Sequence, residues 1–482
     1  MPRTSDFRAI LVSGVFYTAL SKYAGMVILL AVSAILARLV SPEDFGVVAV
    51  ATVFINFFAV LYNCGLGTAV IQHGELSEDE VSDIFSFSVY VSVALAAVFF
   101  AMSPLVAATY GNGKLAAICM ILSANILFAS LNTVPDSLFS KHKRFRFIAV
   151  RTVLVQAVLG VASSVAAYRG LGIYSLLVNP VLGAVMLFAI GYAAYPIRFK
   201  PRFSMATIRK IFPYSAFQFL FNFINYFSRN LDNLLVGKFI GMEPLGYYEK
   251  SYRLMSAPMQ MITHVVTPVV HPVFADYKAD KKKIYGEYVK IVRFLAGIGL
   301  PLSAFLFFAA RELVLVVFGA QWDASVPAFR LLALSAGTQV VMSSSGAVFQ
   351  AAGDTKSLFV AGVVNATTVV AGICVGVFYF RSVTATAGCV SATITACFLC
   401  TYGTLIRHTL RQSLLPFLKG LVSPACCAAC CALCLFLCDR CLSGGMLLTF
   451  GAKLAVFAAL LLAFDGRRFK KITTIVCKEK LS

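Results

Sequence analysis

The sequence predicts an all-α polytopic membrane protein of about fourteen transmembrane helices. Hydrophobic residues make up 60% of the 482 positions and charged residues 13%, against roughly 25% charged residues in a typical globular domain. The apolar residues form long runs, and the basic residues form short clusters between those runs. The mean hydropathy of +0.85 leaves too few polar residues for a water-exposed surface.

The predicted spans are the segments with roughly 20 mostly apolar residues, the length that crosses a bilayer as a helix. Several are interrupted by Gly, Pro or Asn, so twelve spans is the alternative count. We expect no cleaved signal peptide, because the first run exceeds the roughly 7–15 residues of a signal-peptide core. The spans are 11–36, 45–67, 84–107, 114–134, 147–168, 171–193, 212–237, 246–271, 289–310, 326–350, 357–380, 384–406, 415–438 and 443–464.

The distribution of Lys and Arg predicts that both termini are cytoplasmic. With the N-terminus inside, every loop that carries a basic cluster falls on the inside, as at 141–146, 198–210 and 278–283. A wrong helix count would disturb this alternation, so an even number of spans is expected. One inside loop, 72–83, is acidic, which is tolerated because acidic residues contribute little to orientation. The net charge of +20 therefore indicates membrane orientation, and no nucleic-acid partner is expected.

An internal repeat occurs at an offset of 200 residues, where LARLVSPEDFGV at 36–47 aligns with VGKFIGMEPLGY at 236–247. Six predicted spans separate the copies, so the two halves have the same orientation. Transport proteins with parallel repeats place their substrate between the halves. The predicted organisation is a six-helix lobe at 1–194, a basic cytoplasmic linker at 195–211, a six-helix lobe at 212–410, and two additional helices with a basic tail at 411–482.

The seventh predicted span carries a polar stripe. Residues spaced 4, 3, 4 and 3 apart share one helical face, and a lipid-facing helix would leave them without hydrogen-bond partners. A hydrated central cavity is one interpretation. The other is helix–helix packing, with Arg229 and Asp232 neutralising each other at i, i+3. The stripe consists of Gln218, Asn222, Asn225, Arg229 and Asp232.

The eighth predicted span repeats the pattern with Glu249, Arg253 and His264. Glu249 and Arg253 alternatively form a local pair at i, i+4. Lys250 lies near the outer end of this span, where its long side chain could reach the headgroups. Asp232, Glu249 and His264 are the candidate residues for ion coupling.

A cation also occurs midway along the first predicted span. The repeat offset maps Lys22 onto Asn222 in the polar stripe, and a buried pair with an acid is the alternative. Lys22, Arg229 and Arg253 outnumber the acidic residues, and such a surplus suits an anionic substrate. Phosphate is the natural candidate, because Arg binds it in a bidentate fork. Gln218, Asn222 and Asn225 complete the predicted substrate-binding set.

No constellation in the sequence indicates an enzyme, and no cofactor is expected. P-loop, HExxH and GxSxG motifs are absent, and the loops are too short for a catalytic domain. Seven cysteines could suggest a metal site, but they alternate with Ala, Leu and Phe and fit small apolar packing residues. No metal is predicted at Cys426, Cys427, Cys430, Cys431, Cys434, Cys438 and Cys441.

Four stretches resemble the polysaccharide flippases of the MOP superfamily, in particular the O-antigen and colanic-acid exporter type. They extend over most of 10–410 in the expected order, whereas the last two spans diverge. The stretches are LVSPEDFGVVAVATVF at 39–54 with CGLGTAVIQ at 64–72, RNLDNLLVGKFIGMEPLGYYEKSYRLM at 229–255, VFGAQWDASVPAFRLLA at 317–333 and FQAAGDTK at 349–356.

The resemblance implies two six-helix lobes around a central cavity, two further helices and alternating access. It implies a bacterial inner-membrane location and a polyprenyl-diphosphate-linked oligosaccharide as substrate, with cavity cations holding the diphosphate. A polysaccharide polymerase and glycosyltransferases are candidate partners. The alternatives are a lipid II flippase or another lipid or drug antiporter of the superfamily, and a non-transporting scaffold for polysaccharide-assembly enzymes.

Overall fold

The computed structural model describes the backbone of residues 4–62, 67, 70–71, 76–205, 207–208, 215–275, 277, 280–441 and 445–478. The side chains of 4–13, 15–16, 215–225, 228, 264–269, 271–273, 275 and 464–478 lie outside the description. Within these bounds the regular structure is helical, without a β-strand, which confirms the predicted fold class.

The first compact unit is Met1–Gly246. Its helices are α1 (Thr4–Leu39), α2 (Pro42–Tyr62), α3 (Glu78–Tyr110), α4 (Gly113–Leu131), α5 (Thr133–Lys141), α6 (Phe145–Tyr168), α7 (Ser175–Ala194) and α8 (Ser215–Phe239). Among them α1 packs on α6, α3 packs on α4, and α7 packs on both α4 and α6. The helix α2 lies against both α4 and α8.

The second compact unit is Tyr247–Ser482, and the helix α9 (Met242–Ala275) begins just before it. Here α10 packs on α13 and α17, α16 on α12 and α15, and α17 on α18. The predicted lobe boundaries differ from this division and stay a prediction. The further helices are α10 (Lys281–Phe308), α11 (Ala310–Phe318), α12 (Val326–Ala333), α13 (Ala336–Met342), α14 (Ser345–Ala351), α15 (Thr355–Cys374), α16 (Val383–Thr404), α17 (Leu414–Cys441) and α18 (Met446–Lys478).

The number of helices identified as membrane spans is at or just below twelve, the lower of the two predicted values. Eleven helices in the described part are long and apolar enough to cross a membrane, or twelve if the bent pair Ala320–Ala333 and Ala336–Ala351 is one span. The two other predicted spans correspond to α8 and α9, with 25 and 34 residues. At 1.5 Å per residue both exceed the roughly 30 Å hydrocarbon core, so each is long enough to span it. The count of fourteen stays a prediction.

The bent pair in the second unit is supported by contacts with α10. The break at Leu334 and Ser335 bends the span by 46°. Bending frees backbone groups, which need partners inside a membrane. Ser303 of α10 supplies one, because its hydroxyl accepts the backbone N–H of Gly337 at 2.6 Å. Gly337 also permits close contact, since a Cβ there would lie 2.8 Å from the carbonyl oxygen of Gly299.

The acidic inside loop and the basic linker contact each other in the first unit. The ammonium of Lys200 lies 2.7 Å from the carboxylate of Asp79 and 3.8 Å from that of Asp83. Thr207 donates a further hydrogen bond to Asp83 at 3.2 Å. The acidic residues at the start of α3, which depart from the positive-inside pattern, therefore neutralise part of the linker.

Candidate functional site

The predicted polar stripe lies on α8, a continuous helix from Ser215 to Phe239. The helix places its five residues along one face, as predicted. The side chains of Gln218, Asn222 and Asn225 lie outside the described residues. The side chains of Arg229 and Asp232 are described, and their surroundings differ.

Arg229 is exposed, whereas Asp232 is 8% exposed. The Asp232 carboxylate accepts the backbone N–H of Asn233 at 2.8 Å. In the described part of the chain, the guanidinium of Arg229 has no ion pair. Arg229 is therefore the cation of the stripe that a ligand can reach.

Aromatic residues contribute to the contact between α8 and α2. Tyr226 donates its hydroxyl hydrogen to the carbonyl oxygen of Val53, and the rings of Phe227 and Phe57 lie 5.2 Å apart. At 100° per residue, Phe227 points roughly 160° away from Arg229. Phe227 therefore packs on α2 from the side of α8 opposite Arg229.

On α9 the predicted local pair is confirmed. The guanidinium of Arg253 lies 2.6 Å from the carboxylate of Glu249, with side-chain exposures of 44% and 16%. Arg253 is therefore already compensated, which weakens it as a binder of phosphate. The side chain of His264, the third candidate on this span, lies outside the described residues.

The structure corrects the expectation that the Lys250 side chain reaches the headgroups. Lys250 is 1% exposed. Its ammonium lies 5.1 Å from the ring centroid of Phe318 and 5.8 Å from that of Trp322, within the range of cation–π attraction. Lys250 thus points into the second unit instead of toward the bilayer surface.

Lys22 is exposed on α1, and no ion pair of its ammonium occurs among the described residues. The alternative of a buried pair with an acid is therefore wrong for this part of the chain. The proposed substrate role of Lys22, like that of Arg229, stays a prediction.

An ion pair with a buried arginine, which was not predicted from the sequence, lies in the first unit. Arg151 of α6 is 4% exposed, and its guanidinium binds the carboxylate of Asp136 and the carbonyl oxygen of Leu187. Asn132 donates to the same carboxylate at 2.7 Å. The signal was present, because Arg151 is a charge inside the predicted span 147–168. The pair joins α5, α6 and α7.

Lys453 lies inside the predicted span 443–464 and is the buried cation of a cluster of charges. Its ammonium lies 2.6 Å from both the Glu312 and Asp439 carboxylates and donates to the carbonyl oxygen of Phe308 at 2.7 Å. Lys453 is 1% exposed. The cluster joins α18 to α17, to α11 and to the end of α10.

Residues in the stretches that carry the family resemblance make packing contacts and hydrogen bonds with other parts of the chain. Tyr247 meets Trp322 edge to face at 5.9 Å between centroids, and Ser251 donates to the carbonyl oxygen of Ser325 at 3.0 Å. Asp354 caps α15 and accepts the Thr409 hydroxyl at 2.7 Å. Burial would raise the pKa of Asp354, but the hydrogen bonds from Thr409 and Ser357 hold it below its usual value. These motifs therefore determine the fold more than the site.

The helices, the paired buried charges and the polar surface of α8 define an integral membrane protein of the transporter class. A family model described as "Polysaccharide biosynthesis protein" matches residues 35–327. The chain belongs to this family, which confirms the resemblance seen in the sequence.

Three relatives are similar over most of the chain. The teichuronic acid biosynthesis protein TuaB of Bacillus subtilis is 24% identical over 71% of this chain and 71% of the relative. The succinoglycan biosynthesis transport protein ExoT of Rhizobium meliloti is 27% identical over 80% of this chain and 77% of the relative. The lipopolysaccharide biosynthesis protein WzxC of Escherichia coli is 25% identical over 62% of this chain and 61% of the relative.

Two solved structures share the fold. The lipid II flippase MurJ in an inward closed conformation has a TM-score of 0.77 and 13% identity, covering 95% of this chain and 100% of that one. An inward-facing multidrug MATE transporter of the MOP superfamily has a TM-score of 0.62 and 15% identity, covering 83% and 95%. At these identities the likeness establishes the MOP fold and nothing about cargo.

Proposed function

We propose that the chain moves a polyprenyl-diphosphate-linked oligosaccharide from the inner to the outer leaflet of the cytoplasmic membrane by alternating access, for surface polysaccharide assembly. The observation that carries the proposal is α8, a helix of spanning length that exposes Arg229 without an ion pair among the described residues. The family and the names of the relatives support a polysaccharide cargo.

A cationic path answers the main physical obstacle to this transport. A diphosphate entering hydrocarbon loses its hydration, at a cost that a lipid-facing surface cannot offset. Arg229 and Lys22 offer charge-assisted hydrogen bonds in place of that water. A membrane potential that is negative inside also favours outward movement of an anion, by roughly 2.3 kcal/mol per charge per 100 mV. Gln218, Asn222 and Asn225 would bind neutral parts of the headgroup.

Ion coupling is a separate part of the proposal. Asp232 is the buried carboxylate of the stripe, and Glu249 is held by Arg253. Together with His264 they are the candidate couplers. Polysaccharide polymerase and glycosyltransferases are the proposed partners, because they would consume and supply the lipid-linked sugar.

Arg229→Ala is expected to abolish polysaccharide export while the protein still inserts, because the accessible cation of the stripe is lost. The measurement is surface polysaccharide in a deletion strain complemented with each variant, at matched protein levels in the membrane fraction. Arg229→Lys should retain part of the export. The control is Arg311→Ala, at an exposed cation paired with Asp323, which should export normally.

Normal export by Arg229→Ala would refute the cavity role of Arg229. Loss of lipid II transport in the same strain, with polysaccharide unaffected, would favour the lipid II alternative.

We expect both termini to be cytoplasmic, since the basic clusters alternate to that side. A fluorescent protein fused after Ser482 should fluoresce, and alkaline phosphatase at the same position should be inactive. Phosphatase inserted after Arg169 should be active, because that loop is predicted to lie outside. The reverse pattern would show that the topology is inverted.

A further inference from the structure

An apolar groove of about 260 Å³ lies between α6 and α7 in the first unit. One wall follows about three turns of α6, and the other belongs to the second half of α7. From the first to the last α6 residue the groove runs eleven residues, or roughly 16 Å, about the depth of one leaflet's hydrocarbon. It is lined by Phe147, Val150, Leu154, Val158, Met186 and Ile190.

The open side of the groove is suited to hydrocarbon. Val150, Leu154 and Val158 are 47%, 58% and 56% exposed, and they lie one above another at intervals of four residues. Such a stripe on a membrane helix faces lipid. A concave apolar surface in a bilayer is filled by a lipid chain, because a void would forfeit dispersion contacts.

The inner end of the same stripe is cationic. Arg146 precedes Val150 by four residues, so it continues the exposed stripe by one turn toward the predicted cytoplasmic side. Lys143 and Arg144 are also exposed in the preceding turn. Arg144 is the N-cap of α6 without a side-chain capping bond, so the positive end of the helix dipole adds to these charges.

Arg151 shapes the groove but does not supply its charge. Its side chain is 2% exposed, and its guanidinium is held by Asp136 and Leu187. Leu187 adjoins Met186 in the opposite wall. The hydrogen bond from Arg151 to the carbonyl oxygen of Leu187 therefore links the α6 wall to the α7 wall, so the groove is formed before any ligand arrives.

We propose that this groove binds one acyl chain of an anionic phospholipid of the inner leaflet, with its phosphate on Lys143, Arg144 and Arg146. Charge complementarity selects an anionic headgroup. The one-leaflet length of the groove selects an acyl chain over a much longer polyprenyl chain. The site is separate from α8, and it does not depend on the proposed transport function.

The test is native mass spectrometry of the purified full-length protein with equimolar phosphatidylglycerol and phosphatidylcholine. The unmodified protein should retain one phosphatidylglycerol in preference to phosphatidylcholine. Each basic residue near a membrane surface contributes roughly 1 kcal/mol, or about fivefold. The triple variant Lys143→Gln, Arg144→Gln, Arg146→Gln should therefore bind about 100-fold more weakly.

Two further variants distinguish binding of the acyl chain in the groove from non-specific attraction of the lipid to basic residues. Leu154→Trp fills the groove without changing charge and should reduce retention of phosphatidylglycerol at least tenfold, or about 1.4 kcal/mol. Arg169→Gln removes an exposed cation from the opposite end of α6, and this variant should retain phosphatidylglycerol fully. Thermal unfolding of each variant confirms that it is folded.

Three outcomes would overturn the proposal. Equal retention of the two phospholipids would show that the site has no charge selectivity. Undiminished binding of phosphatidylglycerol by Leu154→Trp would show that the acyl chain does not bind in the groove. Displacement of phosphatidylglycerol by equimolar polyprenyl phosphate would assign the site to a polyprenyl lipid instead.

Discussion

Gly46→Ala and Gly246→Ala are each expected to destabilise the protein by about 1–3 kcal/mol, the usual cost of overpacking. Alanine normally stabilises a helix interior by up to about 1 kcal/mol relative to glycine. At these two positions the steric cost should exceed that gain, because both glycines lie in one backbone-to-backbone contact.

The geometry of this contact is reciprocal. A Cβ at Gly46 would lie 1.8 Å from the carbonyl oxygen of Met242, and a Cβ at Gly246 would lie 2.0 Å from that of Pro42. Each glycine also approaches the backbone nitrogen of the other, at 3.2 Å and 3.4 Å from the added Cβ. Backbone atoms cannot rotate away as the end of a side chain can. The first turns of α2 and α9 must therefore separate to admit any side chain.

The measurement is the melting temperature of the purified single and double variants. Both substitutions separate the same two turns, so the double variant should lose less than the sum of the singles. Gly113→Ala at the start of α4 is the matched control, since nothing lies within 4 Å of its added Cβ. Additive losses, or single variants as stable as the control, would contradict the proposed contact.

The repeat shows how far sequence reasoning extends. Alignment at an offset of 200 residues paired Gly46 with Gly246 and Pro42 with Met242. The structure adds that these equivalent residues touch each other, i to j and j to i, as a local two-fold relation requires. An alignment identifies equivalent positions, but it carries no information about which of them meet in space.

In the candidate site too, contacts between residues close in sequence could be predicted, whereas contacts between distant residues could not. The Glu249–Arg253 pair was predictable, because a spacing of four residues on a helix implies contact. The burial of Lys250 was not, because its partners Phe318 and Trp322 lie about seventy residues later in the chain and only tertiary packing brings them near. The acidic residues Asp79 and Asp83 were tolerated as an exception, although their partner Lys200 lies in the linker.

Lys453→Met should destabilise the protein by roughly 3–5 kcal/mol, the cost of removing one partner from a buried ion pair. Met nearly preserves the side-chain length, so the effect reports the charge. Glu312 would keep a carboxylate that is 12% exposed and has lost its cation, whereas Asp439, at 37%, can recover solvation. The other Glu312 oxygen already has no hydrogen-bond partner among the described residues.

The distinguishing variant is Lys453→Met combined with Glu312→Gln. Neutralising the carboxylate removes the uncompensated charge, so the double variant should be more stable than Lys453→Met alone. The measurement is the melting temperature, with Lys419→Met at an exposed position of α17 as the control. A double variant no more stable than the single would show that Lys453 acts through packing. In that case α17 and α18, which lie outside the repeat, would be held to α10 and α11 by apolar contacts alone.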